Sequence, residues 1–329
     1  MNLYSVIFLL VIGYTGLSGF NDGGNLVATF AATRSLKLSL VIPLLILSIG
    51  LGPILFGTAV SRTIATQIIN FPLAGPLVVT ASLLGAIATL IVTWRLSLPT
   101  STTLALGGAM AGAAFTAGQG RLIHWTGILK ILLGLLGSVA AGFVFASIIT
   151  FILWTVLSRL SLPQALHIGR LQYIIAIWQG MAYGANDQEK AIGLTALVFL
   201  MMHHKTRYQV SWVDIVLPLL AWSVGLLLGG TRVARTVGNR VVRIKSINAV
   251  GALTAATLTV TLAAMAGLPI STTQTVDASL IGMGTTLNPA AVHWLTVKNI
   301  VRVWILTIPI AMALGIAAMA LCQFSRSVL

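Results

Sequence analysis

"GFNDGGN" at residues 19–25 and "GANDQEK" at residues 184–190 each border a long apolar run. The chain has only five acidic residues, and three of them (Asp22, Asp187 and Glu189) lie in these two stretches. Their surroundings decide what they mean. Hydrophobic residues make up 57% of the chain, charged residues 7%, and the mean hydropathy is +1.01. An ordinary soluble domain carries about 25% charged residues. A soluble protein of 329 residues this apolar could not cover its surface. The composition therefore predicts a polytopic membrane protein, placed in the cell membrane.

A helical span needs roughly 20 apolar residues. Candidates fall at 3–20, 38–60, 73–94, 126–157, 171–201, 211–230, 247–267 and 300–323. Shorter apolar pieces near 26–33, 104–117 and 276–287 suit interrupted or re-entrant helices better than simple spans. The runs are continuous, so the expected class is all-α; a barrel would show short alternating segments. The net charge of +14 does not point to nucleic acid. The densest basic stretch (Arg232, Arg235, Arg240, Arg243, Lys245) lies between apolar runs and reads as a cytoplasmic loop. The single cysteine, Cys322, excludes a disulfide framework and a cysteine metal site. Residues 1–20 lack a basic leader and read as a first span.

Three pairs of stretches recur in the same order. "FNDGGN" at 20–25 pairs with "ANDQEK" at 185–190, "GTAVSRTI" at 57–64 with "GTRVARTV" at 230–237, and "LPTSTT" at 98–103 with "LPISTT" at 268–273. The offsets are 165, 173 and 170 residues, which predicts a duplicated unit. The first repeat spans 1–158 and the second 169–323, and together they form one membrane bundle. Charge speaks both ways on inversion. The loop after the second "GTRVARTV" is strongly basic while its counterpart holds only Arg62, which suits opposite sides of the membrane. Arg34 and Lys37 match Lys205 and Arg207, which suits the same side. Inverted repeats with interrupted helices are the favoured reading.

A carboxylate near the bilayer centre costs roughly 2.5–3.5 kcal/mol on insertion scales and persists where function compensates it. Asn21, Asp22, Asn25, Asn186 and Asp187 offer the oxygens that a hard coupling cation such as Na⁺ prefers. The flanking glycines would let the helix break and free backbone carbonyls. Asn21 and Asn25 lie four apart on one helical face, whereas the second copy has Lys190 at the position matching Asn25. The "LPxSTT" stretches read as helix starts, with proline tolerated and hydroxyls available as caps. A helix N-terminus binds anions. Ser101, Thr102, Thr103, Ser271, Thr272 and Thr273 would surround a tetrahedral oxyanion with donors and no full positive charge. Cation and anion ligands in one duplicated unit are what a cation-coupled anion carrier requires.

These motifs, in this order, resemble the inorganic phosphate transporter family over about residues 5–320. The resemblance implies inverted repeats with paired helical hairpins, a homodimer, and phosphate moved with Na⁺ or H⁺ and no other cofactor. It implies that Asn21, Asp22, Asn25, Asn186 and Asp187 serve cation and phosphate binding, and that residues 101–103 and 271–273 hold the anion. Family members often carry His after Ser-Thr-Thr; here Leu104 and Gln274 stand there. The family also includes sulfate permeases, so sulfate is the alternative anion. Asp277, opposite Gly107 in the repeat, either binds a cation or proton or faces a water-filled vestibule. Two rival classes are a membrane enzyme acting on phosphorylated lipids and a channel. The first lacks a recognisable nucleophile or metal motif, and the second would not need paired cation and anion ligands.

Overall fold

The computed structural model describes residues 3–33, 36–96, 100–118, 120–157, 159, 162–203, 208–237 and 246–328. Among them every regular element is helical, apart from one isolated bridge between Ile69 and Ile123. The helices are α1 (Leu3–Thr33), α2 (Leu38–Phe56), α3 (Ala59–Thr66), α4 (Phe71–Arg95), α5 (Thr102–Gly118) and α6 (Trp125–Leu157) in the first half. The second half holds α7 (Leu162–Tyr183), a π-turn (Gly184–Gln188), α8 (Glu189–Met202), α9 (Trp212–Val237), α10 (Ser246–Met265), α11 (Thr272–Leu287) and α12 (Trp294–Val328). The expected junction between the halves and most of the basic stretch after α9 lie outside the described residues or have undescribed side chains.

Among the described residues seven helices are long and apolar enough to cross a membrane: α1, α2, α4, α6, α9, α10 and α12. Leu47, Leu133, Leu136, Phe151, Leu228 and Ile305 point outward from four of these helices. Such a surface suits hydrocarbon, where a helix satisfies its own backbone groups. The chain is a multi-pass membrane protein. His124 and His293 directly precede α6 and α12, beside the exposed Trp125 and Trp294. Aromatic residues collect at that kind of boundary.

The sequence anticipates the helices more closely than their breaks. The apolar run at 171–201 is divided by the π-turn over Gly184–Gln188. The first copy differs, because α1 runs without a break through Gly19–Asn25. Its glycines serve close packing instead. A Cβ on Gly19 would land on the backbone carbonyl of Trp222, and one on Gly23 would meet Leu226. Small residues at such points let helix backbones approach. Gly225 of α9 fits equally closely against the Gly16 carbonyl. The run at 38–60 ends earlier than its apolar residues do. At Gly57 the backbone turns into the left-handed region (φ 84°) before the short α3.

The two halves exchange packing partners. Helix α1 packs on α9, and α7 packs on α2. Helix α5 packs on α12, and α11 on α6. At 17 and 16 residues, α5 and α11 are shorter than a full span, and they are buried almost all round from their starts to Ala114 and Gly284. That burial suits the small and apolar residues all round α5, whereas α11 also buries polar residues, Gln274 and Asp277 among them.

Candidate functional site

The starts of α5 and α11 are built alike. Ser101 accepts from the Leu104 N–H and Ser271 from the Gln274 N–H, at 3.3 Å in each case. These are N-caps that each satisfy one of the N–H groups left free at a helix start, and they mark where the buried helices begin. The amide of Asn21 donates to the Thr100 carbonyl at 3.1 Å, and that of Asn186 donates to the Leu268 carbonyl at 3.0 Å. Each Asn-Asp motif is thereby tied to the helix start of its own half.

The threonines carry the pairing further. Thr102 Oγ1 donates to Asp22 Oδ2 at 2.6 Å. Its counterpart Thr272 makes the same short bond to Asp187 Oδ2. Ser18, one turn before Asp22, donates to Oδ2 at 3.1 Å. Contacts also cross between the halves. Thr273 Oγ1 donates to Asp22 Oδ1 at 3.4 Å and accepts from Asn25 Nδ2 at 3.1 Å. Thr103 Oγ1 donates to the Ile270 carbonyl at 2.7 Å. All five Asn-Asp residues and all six Ser-Thr-Thr residues meet in one cluster, and only Asn21 is less than fully buried.

Lys190, expected from its place in the motif to set a fixed positive charge beside the second cation position, also reaches the helix start of the other half. Its ammonium donates to Asp187 Oδ1 at 2.5 Å, to Thr103 Oγ1 at 2.7 Å and to Thr102 Oγ1 at 3.4 Å. The expectation of hydroxyl donors with no full positive charge is therefore corrected: a buried cation stands between the two halves. The cause is local geometry. The π-turn and the start of α8 place Lys190 three residues after Asp187, on the side that faces α5.

Gln274 and Asp277 are buried on α11, in its first two turns. Two neighbours, Tyr14 and Ser18, escaped the sequence reading, and Glu189 was noted there without a partner. Tyr14 donates to the Thr102 carbonyl at 3.2 Å, Ser18 holds Asp22, and Glu189 accepts from the Ser61 N–H of α3 at 2.9 Å. Ser18 was detectable, since it lies four residues before Asp22 on one helical face. The partner of Glu189 lies 128 residues away, and no local spacing reveals it.

The site can therefore do two things chemically. Two carboxylates and their asparagine oxygens offer hard ligands for a small cation. Two helix starts offer N–H donors for an anion, and beside them stand the threonine hydroxyls and one ammonium, which here donate to neighbouring oxygens. The helices define a multi-pass membrane protein, and this site is buried within it.

A model of the phosphate transporter family matches residues 18–315, and the chain belongs to that family. It is 30% identical over 318 residues to the "Probable low-affinity inorganic phosphate transporter" of Bacillus subtilis, covering 95% of each chain. It is also 30% identical over 311 residues to the protein of the same name in Rhizobium meliloti, covering 94% of this chain and 92% of that one. A solved structure, "The sodium-dependent phosphate transporter", shares the fold with a TM-score of 0.87 at 20% identity, covering 98% of this chain and 100% of that chain.

Proposed function

We propose that this protein is a secondary active carrier that imports inorganic phosphate together with Na⁺ or H⁺. One observation carries the reading: carboxylates, amides, hydroxyl-capped helix starts and an ammonium from both halves meet in one buried cluster. A carboxylate is kept in such a place at a cost, and coupling to a cation is a reason to keep it. In this reading Asn21, Asp22, Asn25, Asn186 and Asp187 form the cation ligands. Ser101 to Thr103 and Ser271 to Thr273 hold the anion, and Gln274 and Asp277 flank it. Residues 1–158 and 169–323 act as two inverted repeats, with α5 and α11 as paired re-entrant helices. The reciprocal packing of α1 on α9 and α7 on α2, and the matching threonine–aspartate bonds, support that arrangement.

The relatives' names include phosphate, and the sodium-dependent phosphate transporter 1 of Mus musculus is 32% identical over 158 residues, 47% of this chain and 23% of that one. Labelled phosphate uptake into proteoliposomes tests the proposal. Uptake should saturate, rise with an inward Na⁺ or H⁺ gradient, and fall near background in Asp22→Asn. Uptake indifferent to both gradients, or undiminished in Asp22→Asn, would remove the coupled-carrier reading.

A further inference from the structure

We propose that the Lys190 ammonium permanently fills the cation position of the second half, leaving Asp22 as the centre of the remaining exchangeable cation site. This rests on the reading of the Asn-Asp motifs as cation ligands. The two motifs share Gly, Asn and Asp at matching positions, and at the last position one has Asn25 where the other has Lys190. Asn25 lies three residues after Asp22, and Lys190 lies three residues after Asp187. The matching extends to their contacts across the halves. Asn25 Nδ2 bonds Thr273, while Lys190 Nζ bonds Thr103, which is the counterpart of Thr273 in the other repeat. Lysine therefore reaches the same place as asparagine, and it brings a charge there.

An ammonium has three N–H groups. The three oxygens that face Lys190 Nζ are Asp187 Oδ1, Thr103 Oγ1 and Thr102 Oγ1. A carboxylate and two hydroxyls are the kind of oxygen set that would hold a small alkali cation. With the ammonium on them, a second cation would meet a like charge at contact distance and find the carboxylate already neutralised. The first half differs. The partners of Asp22 are the hydroxyls of Ser18, Thr102 and Thr273, and among the described residues the ion pair formed by Lys190 is with Asp187. Asp22 is held by hydroxyl dipoles and makes no direct ion pair among the described residues. Asn186 Oδ1 is buried and accepts no hydrogen bond, so the second half retains an oxygen that an ion could use once the lysine is removed. A tethered ammonium moves with the protein instead of crossing the membrane. Each transport cycle then carries one coupling cation fewer than two equivalent motifs would carry.

Binding of radioactive sodium to the purified full chain tests this, with choline chloride balancing ionic strength. Lys190→Asn should bind one more sodium ion per chain than the unsubstituted protein. Its melting temperature should rise with NaCl and not with choline chloride, because a ligand that binds only the folded state stabilises it. Asp22→Asn should lose all sodium binding. Equal sodium counts before and after Lys190→Asn would overturn the proposal, as would sodium still bound by Asp22→Asn. If Lys190→Asn folds only in sodium, that supports it. If Lys190→Asn folds in neither salt, the Asp22→Asn measurement decides alone. Phosphate uptake by the unsubstituted protein is scored separately: its absence removes the carrier reading while the sodium counts still judge the role of Lys190.

Discussion

Asp22 and Asp187 hold matching places in the two motifs, yet their neighbours make them unequal. Asp187 is half of a buried ion pair at 2.5 Å. Removing one partner of such a pair leaves the other charge stranded and costs about 3–5 kcal/mol. Among the described residues the donors to Asp22 are hydroxyls, and an amide oxygen at that position could still accept from Thr102. Denaturation in detergent should therefore show Asp22→Asn close to the unsubstituted protein and Asp187→Asn less stable by about 3–5 kcal/mol. Equal losses would mean that the pair with Lys190 contributes nothing particular. The duplicated Asn-Asp motif was legible in the sequence, and so was the lysine at the position of Asn25. The bonds from Lys190 to Thr102 and Thr103 of the other half were not, because those partners lie almost 90 residues away and no local spacing reveals them.

Glycine was the least legible signal among the elements. Gly19, Gly23 and Gly184 flank both motifs, and a helix break is a fair reading of such a run. The break appears at Gly184–Gln188 as a π-turn, while α1 continues unbroken. Both sit in close helix packing all the same. Gly19 lies against the Trp222 carbonyl and Gly184 against the Ile49 carbonyl, and neither contact can be seen from local sequence. The exchange of partners, α5 with α12 and α11 with α6, was equally hidden. Long apolar helices of similar composition do not declare which neighbour they choose. The packing role makes a direct prediction. Gly19→Leu should destabilise the protein by about 1–3 kcal/mol or more, because the side chain has backbone in its path. Gly137→Leu on α6 should be nearly neutral, since nothing lies within 4 Å of a Cβ there. Thermal unfolding of both variants in the same detergent makes the comparison, and similar losses would argue against close packing of α1 on α9.

At the scale of the whole molecule, the site exists only because both halves contribute to it. The recurring order of three motifs made that much legible, since helix starts and carboxylates repeated at nearly one offset must meet if the halves pack together. Which anion they hold depends on chemistry rather than topology. At neutral pH phosphate is a mixture of singly and doubly charged forms and keeps at least one proton to donate. Sulfate has none and can only accept. A site that recognises phosphate needs an acceptor facing the anion, whereas a site for sulfate does best with donors alone. This cluster holds the acceptors Asp22 and Asp187 beside the threonine hydroxyls, which favours phosphate. Two features weigh against it. Lys190 neutralises the Asp187 acceptor, and a cation bound at Asp22 would mask the other. The asparagine oxygens are neutral and keep their accepting capacity in either case, so the balance stays with phosphate. Competition in proteoliposomes measures that balance. Excess unlabelled sulfate should leave most labelled phosphate uptake intact, while unlabelled phosphate abolishes it. Stronger inhibition by sulfate than by phosphate would transfer the substrate assignment to sulfate and leave the coupled mechanism standing, because the cation ligands do not depend on which tetrahedral anion the hydroxyls hold.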